Sequence, residues 1–221
     1  MDKSLHTRNA AGRIILFTCL LSLGYTILRY HIVGPTPWKD LSLYTLNKGI
    51  ALGAFIILTF NFSFGPLDNL GIKVPSNFLN ARKALGMTGF LLIMIHALIS
   101  FILFSPAIYA KFFLQDGTLT LNAGLSMLGG VLSFVILWGY NLSFQTYLRE
   151  DRKFIRFITS RKFLLAALLS SLLHLFFMGY KGWIAPAHWH GGLPPVSLIA
   201  FIFFLLGYVI NLLGREQDKD L

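Results

Sequence analysis

Charged residues are scarce in this sequence. They make up 13% of the 221 residues, whereas 55% are hydrophobic and 15% are aromatic. A composition this apolar argues against a soluble domain of this size and favours an integral membrane protein. The formal net charge is +10. The cations flank the apolar runs and do not form a continuous stripe, so we expect them to set orientation in a lipid membrane and expect no nucleic acid as a partner.

Cysteine and cofactor-domain motifs are nearly absent. Cys19 is the single cysteine, so no intramolecular disulfide can form. No Gly-x-Gly-x-x-Gly motif follows a strand-like segment, and seven residues follow Gly214, so we expect no fused flavin or nicotinamide domain. No internal repeat or low-complexity tract is present. The sequence therefore predicts one domain over residues 1–221.

Six apolar runs are long enough to cross a bilayer, which needs about 20 residues of helix. A short interfacial helix is expected at Asn77 to Arg82, before the third run. The predicted fold is an all-α integral membrane protein with a bundle of six transmembrane helices. The predicted spans are residues 13–33, 47–66, 84–106, 121–143, 162–182 and 195–213.

The distribution of Lys and Arg predicts the orientation. If the N-terminus is cytoplasmic, fourteen of the cations fall in cytoplasmic segments and five fall outside. This excess matches the positive-inside rule, so both termini are expected in the cytoplasm and the protein in the inner (plasma) membrane as a multi-pass protein. The five outer cations are Arg29, Lys39, Lys48, Lys111 and Lys181.

Two histidines interrupt the apolar runs at matching depths. His96 follows Lys83 by 13 residues in the third run, and His174 follows Lys162 by 12 in the fifth. Both runs point outward, and at about 1.5 Å per residue both imidazoles lie roughly 18–20 Å from the inner boundary. Ionisable groups at such depths are costly and indicate function. Two level histidines on parallel helices predict axial ligation of a haem iron by His96 and His174.

Residues around the two histidines are assigned supporting roles. Gly89 is expected to clear space beside His96. Ser100 and Ser170, each four residues from a histidine, are candidates for the contact that orients a ligating ring. Lys181 and Arg29, with Lys48, are placed to neutralise haem propionates at the outer end. There is no Cys-x-x-Cys-His motif, so we expect one non-covalent, b-type haem.

Other interpretations of the histidines remain open. An intramembrane histidine also serves as a hydrogen-bonding contact between helices or as a proton relay, which would fit a haem-free transporter or assembly protein. His188 and His190, in the loop before the last run, are a weak candidate metal pair because no third ligand is apparent. If they bind metal, a terminal ferric or cupric reductase is the second enzymatic alternative.

The motif Arg82-Lys83-x-Leu85-Gly86, followed ten residues later by His96, resembles the third helix of ferric reductase-like transmembrane proteins. The resemblance covers roughly residues 45–215 and is greatest to the haem-binding membrane subunits of bacterial periplasmic methionine-sulfoxide reductase systems. It implies a b-type haem protein that passes electrons across the membrane. Those subunits usually carry another histidine 13 residues before the one matched by His174. This chain has Arg161 there, which argues against a second haem.

Together these observations predict an electron-transfer subunit of an oxidoreductase system. The haem is expected to accept electrons from a quinol or from a separate flavin reductase, with a quinone or flavin bound at the inner face. The acceptor is expected at the outer face, so a separate redox partner protein is implied.

Overall fold

The computed structural model describes residues 3–143, 145 and 151–214, with side chains from residue 9 onward. The chain is 82% helical, and the described residues contain no strand. One isolated antiparallel bridge joins Phe113 and Leu119 in the loop before the fourth long helix. The helices are α1 (Lys3–Ile27), α2 (Leu46–Asn69), α3 (Ser76–Leu103), α4 (Leu121–Leu142), α5 (Arg152–Ile158), α6 (Arg161–Trp183) and α7 (Val196–Leu213).

Within the described residues, six helical segments are long and apolar enough to cross a membrane, as the sequence predicts, which indicates a multi-pass membrane protein. Helices suit such a setting because they satisfy their backbone hydrogen bonds internally. The six segments are Asn9–Ile32, Trp38–Asn69, Ser76–Leu103, Leu121–Leu142, Arg152–Trp183 and His190–Leu213. Several of the cations used to predict orientation, among them Arg149, Arg215 and Lys219, lie outside the described residues.

The stretch predicted as a short interfacial helix is the beginning of α3. Pro75 precedes the helix with φ −54° and ψ 136°, and α3 then runs without interruption from Ser76 to Leu103. The separate helix predicted at residues 77–82 is therefore wrong. The apolar run in the sequence marks only the most hydrophobic part of α3. The bounds of the helix depend instead on residues such as proline, which interrupt its hydrogen-bonding pattern.

Helix α2 lies at the centre of the bundle. It packs against α1, α3 and α7. In the segment that contains it, Trp38–Asn69, 56% of the most apolar stretch is buried, a larger share than in any other of the six segments. Its Phe55 ring meets the Phe204 ring of α7 edge to face, with 4.7 Å between the ring centroids. Many Leu, Ile and Phe side chains on the outward faces of the other helices are exposed, as expected for contact with lipid.

The remaining packing separates α3 from α6. Helix α3 packs mainly against α1 and α2, whereas α6 packs mainly against α4 and α7. The α4–α6 pair is especially close because of glycine. A Cβ atom on Gly129 would lie 2.8 Å from the His174 nitrogen and 2.9 Å from the Ser170 carbonyl oxygen, both backbone atoms. Small residues permit such approaches between membrane helices.

We predict that Gly129→Ala destabilises the protein, by about 1–3 kcal/mol, because the new methyl group must push the α6 backbone away. Gly124→Ala is the matched control in the same helix, since its Cβ would meet nothing within 4 Å. The measurement is thermal unfolding in detergent. Equal unfolding temperatures for the two variants would contradict the close approach.

Candidate functional site

The two membrane histidines lie on the two helices that have little direct contact. His96 is on α3 and His174 on α6, and both side chains are half-buried. The two residues are 78 positions apart in the sequence, and helix α4 packs against both of their helices.

His96 is held by a side chain of α2. The Nδ1 atom of His96 lies 2.8 Å from Oδ1 of Asn47, and 3.4 Å from Oγ of Ser100. The Asn47 amide nitrogen donates to the Ser100 hydroxyl at 3.0 Å, so Asn47 Oδ1 is the amide's free acceptor. Because that oxygen can only accept, Nδ1 of His96 carries the proton. Ser100 therefore lies beside the ring, as the sequence predicts, but Asn47 is its principal partner.

His174 is held by the backbone of α4. Its Nδ1 atom lies 2.8 Å from the Ser126 carbonyl oxygen, which can only accept, so this nitrogen also carries the proton. The Ser126 hydroxyl donates to the His174 carbonyl at 3.0 Å. Gly130 makes the contact possible, since a Cβ atom there would lie 2.9 Å from Nδ1 of His174.

Both rings are consequently in the form that a metal ion requires. With Nδ1 protonated and hydrogen-bonded to an oxygen, the lone pair of Nε2 is available to a metal. Metal-ligating histidines almost always show this arrangement, because the outer hydrogen bond fixes the tautomer and orients the ring. The donor set therefore fits axial ligation of a haem iron, for which a pair of imidazoles is one of the standard choices.

The other residues predicted to support the histidines lie in different surroundings. A Cβ atom on Gly89 would lie 2.7 Å from the Leu58 side chain, so this glycine gives α2 a close approach to α3. On α6, Ser171 rather than Ser170 forms side-chain hydrogen bonds, one to the Ala167 carbonyl and one to Ser133 of α4. The hydroxyl that contacts the His174 ring belongs to Ser126.

The cations predicted to neutralise haem propionates lie near helix ends. Lys48 lies next to Asn47, and its ammonium is 4.2 Å from the centre of the Tyr44 ring. Arg29 is 5% exposed, and its Nε donates to the Leu193 and Pro194 carbonyls at 3.2 and 2.9 Å. Lys181, the remaining predicted counter-charge, is exposed near the end of α6.

The loop histidines form no metal cluster in the described part of the chain. His188 is exposed and His190 half-buried, and the described residues contain no group of three or more His, Cys, Asp or Glu placed to hold a metal ion. His31 stacks on Trp38 with 4.7 Å between the ring centroids, and its Nδ1 lies 3.0 Å from the Thr36 carbonyl oxygen.

Asn47 and Ser126 are the site residues that the sequence does not reveal. Each lies on a helix other than that of its histidine, so no spacing within one run relates the two. A partial signal exists, since buried polar residues in apolar runs are costly and these two are 2% and 3% exposed.

No family model matches the chain, and no curated protein matches it.

We predict that the ligand-free protein holds both membrane histidines as the Nδ1–H tautomer, and that Asn47→Leu removes this preference at His96 alone. The leucine offers no acceptor for Nδ1, whereas the Ser126 carbonyl still holds His174. Nitrogen NMR of protein labelled at histidine distinguishes the tautomers, and His174 is the internal control. An unchanged His96 signal in Asn47→Leu would show that Asn47 does not set the tautomer.

Proposed function

We propose that the protein is a membrane cytochrome that holds one b-type haem between His96 and His174. The observation that carries the proposal is the matched state of the two imidazoles. Each donates its Nδ1 proton to an oxygen of a neighbouring helix and keeps its Nε2 lone pair for a metal. If each histidine served only as a contact between helices, nothing would require both to have a protonated Nδ1 and an unused Nε2 lone pair.

The bound haem would supply reversible one-electron transfer. The chain's own residues bind and orient it: α2 holds the His96 ring through Asn47, and α4 holds the His174 ring through Ser126. The apolar helices around the two rings limit the access of water, which is one of the means by which a protein tunes a redox centre. Two fixed histidine ligands suit electron transfer more than binding of a small molecule at the iron.

The direction of transfer in the proposal is outward. The excess of Lys and Arg in alternate connections supports cytoplasmic termini and an inner (plasma) membrane location. In that orientation the histidines lie in the outer part of the membrane. The donor is then a quinol or a separate flavin reductase at the inner face, and the acceptor is a separate redox partner at the outer face.

A reduced-minus-oxidised absorbance spectrum of the purified protein tests the proposal. We expect the bands of a low-spin b-type haem in the wild type and their loss in His96→Ala and in His174→Ala, because the ligation needs both rings. His188→Ala is the control and is expected to keep the bands, since its side chain is exposed in the loop. A wild-type spectrum retained in either membrane-histidine variant would refute the pairing.

The inner end of the bundle supports a single haem. Arg161 occupies the position at which the resembling membrane subunits have a second histidine. Its guanidinium donates to the Asn211 carbonyl at 3.2 and 3.1 Å and to the Leu212 carbonyl at 2.9 Å, so it caps the end of α7. Arg82 similarly donates to the Asn61 carbonyl at 3.2 Å. Arginine cannot replace imidazole as an axial ligand, because its guanidinium offers only donors.

We therefore predict a stoichiometry of one haem per chain. The measurement compares haem content, from the pyridine haemochrome spectrum, with protein content from amino-acid analysis of the same sample. Arg161→His provides a useful comparison, because it restores an imidazole at this position and tests whether that alone admits a second haem. A ratio near two in the wild type would rule out the single-haem arrangement.

A further inference from the structure

The ammonium group of Lys48 lies in a cage of aromatic rings. It is 4.2 Å from the ring centre of Tyr44, 5.4 Å from that of Tyr30 and 5.6 Å from that of Tyr109. Such contacts with ring faces attract a cation but provide no hydrogen-bond acceptor for its protons. The ammonium is thus partly removed from water, and no residue in the described part of the chain accepts a hydrogen bond from it.

Two other cations, Lys111 and Arg29, repel the positive charge of Lys48 and so favour an anion beside it. Lys111 belongs to the loop between α3 and α4, and its ammonium donates to the Met178 carbonyl of α6 at 3.4 Å, across the space between α3 and α6, here called the α3–α6 gap. Lys111 is exposed and Lys48 is half-buried, so the repulsion is screened least at Lys48, and an anion bound there would be stabilised.

The surrounding residues provide no such anion. Among the described residues, none of the three cations makes an ion pair with an acidic side chain. Asp40 acts on Tyr44 but not on Lys48. The tyrosines do not supply the charge either: burial and the neighbouring Tyr44 raise the pKa of Tyr109 to about 12, so its hydroxyl remains neutral at physiological pH.

The position of Lys48 indicates where the anion comes from. Lys48 follows Asn47, the residue that holds the His96 ring. A carboxylate beside Lys48 is therefore at the edge of whatever His96 binds. On the other side of the gap, Met178 lies one helical turn beyond His174, so Lys111 has the same relation to the second ligand.

We propose that Lys48 and Lys111 form a carboxylate-binding pair at this end of the α3–α6 gap, which receives the haem propionates. This inference rests on the proposed haem function and assigns the groups that recognise the haem's charged edge. Within this pair Lys111, whose ammonium donates to the Met178 carbonyl of α6, takes the place of Lys181 as the counter-charge on the His174 side. Arg29 adds to the positive potential while its Nε remains committed to the backbone carbonyls of the loop.

The test compares two porphyrins that differ only at the carboxylates. Haem-free protein is titrated in detergent with haem and with haem dimethyl ester, whose propionates are blocked. We expect the wild type to bind haem about 10- to 100-fold more tightly than the diester, the range for hydrogen bonds to charged groups. Lys48→Met should lose most of this preference while binding the diester as the wild type does. Lys48→Arg should retain the preference, because the charge remains.

Lys39→Met is the matched control. Lys39 has the same charge and belongs to the same connection between α1 and α2, but it is exposed and does not act on Lys48. It should keep the wild-type preference. Lys111→Met is measured in parallel and should reduce the preference, so the assignment can be refuted even if Lys48→Met folds poorly.

The outcomes separate this inference from the proposed function. Equal affinity of the wild type for the two porphyrins, or an undiminished preference in both Lys48→Met and Lys111→Met, would overturn the carboxylate-binding pair while leaving the haem function intact. Failure of the wild type to bind either porphyrin with a low-spin spectrum would overturn both proposals, and this result is visible without any variant.

Discussion

The hydrogen bond from each histidine Nδ1 to a neighbouring helix is the interaction on which the proposed site depends. For His174 the acceptor is the Ser126 carbonyl, a backbone atom, so the ring is oriented by the position of α4 itself. That carbonyl is reachable because Gly130, one turn later, has no side chain to cover it. Gly129 allows the backbones of α4 and α6 to approach closely at the same level. The ring orientation is therefore a consequence of helix packing.

The cations at the two ends of the bundle satisfy their hydrogen bonds differently. Arg82 and Arg161 donate to carbonyl oxygens of neighbouring helices, and for Arg161 these carbonyls lie in the last turn of α7, where the helix dipole favours a positive charge. Lys48 has aromatic rings around it, and no described residue accepts a hydrogen bond from it. The first arrangement is complete within the protein, whereas an anionic partner would complete the second. This contrast is the reason for assigning a ligand to the Lys48 end and a structural role to the arginines.

The sequence was informative about the site where residues share one helix and uninformative where they do not. Ser100 lies one turn from His96 and does contact its ring. The same reasoning favoured Ser170 for His174, but the contact comes from Ser126 of α4. Spacing within a helix states which residues share its face and does not state which neighbouring helix is opposite that face. For the same reason Gly89, chosen for its spacing from His96, was not recognisable as a contact with Leu58 of α2.

The six long apolar helices of the described chain, their order and their approximate bounds were determined by the sequence alone, because a long apolar segment removed from water must satisfy its own backbone hydrogen bonds and a helix does so. The choice of His96 and His174 as the residues to examine also came from the sequence, since ionisable groups are rare and costly in such segments. Only the tertiary structure decided that Asn47 and Ser126 hold the rings and that Lys48 lies among three tyrosines. These contacts join residues from different helices, and in lipid the packing of helices depends on detailed shape more than on an apolar pattern that could be read along the chain.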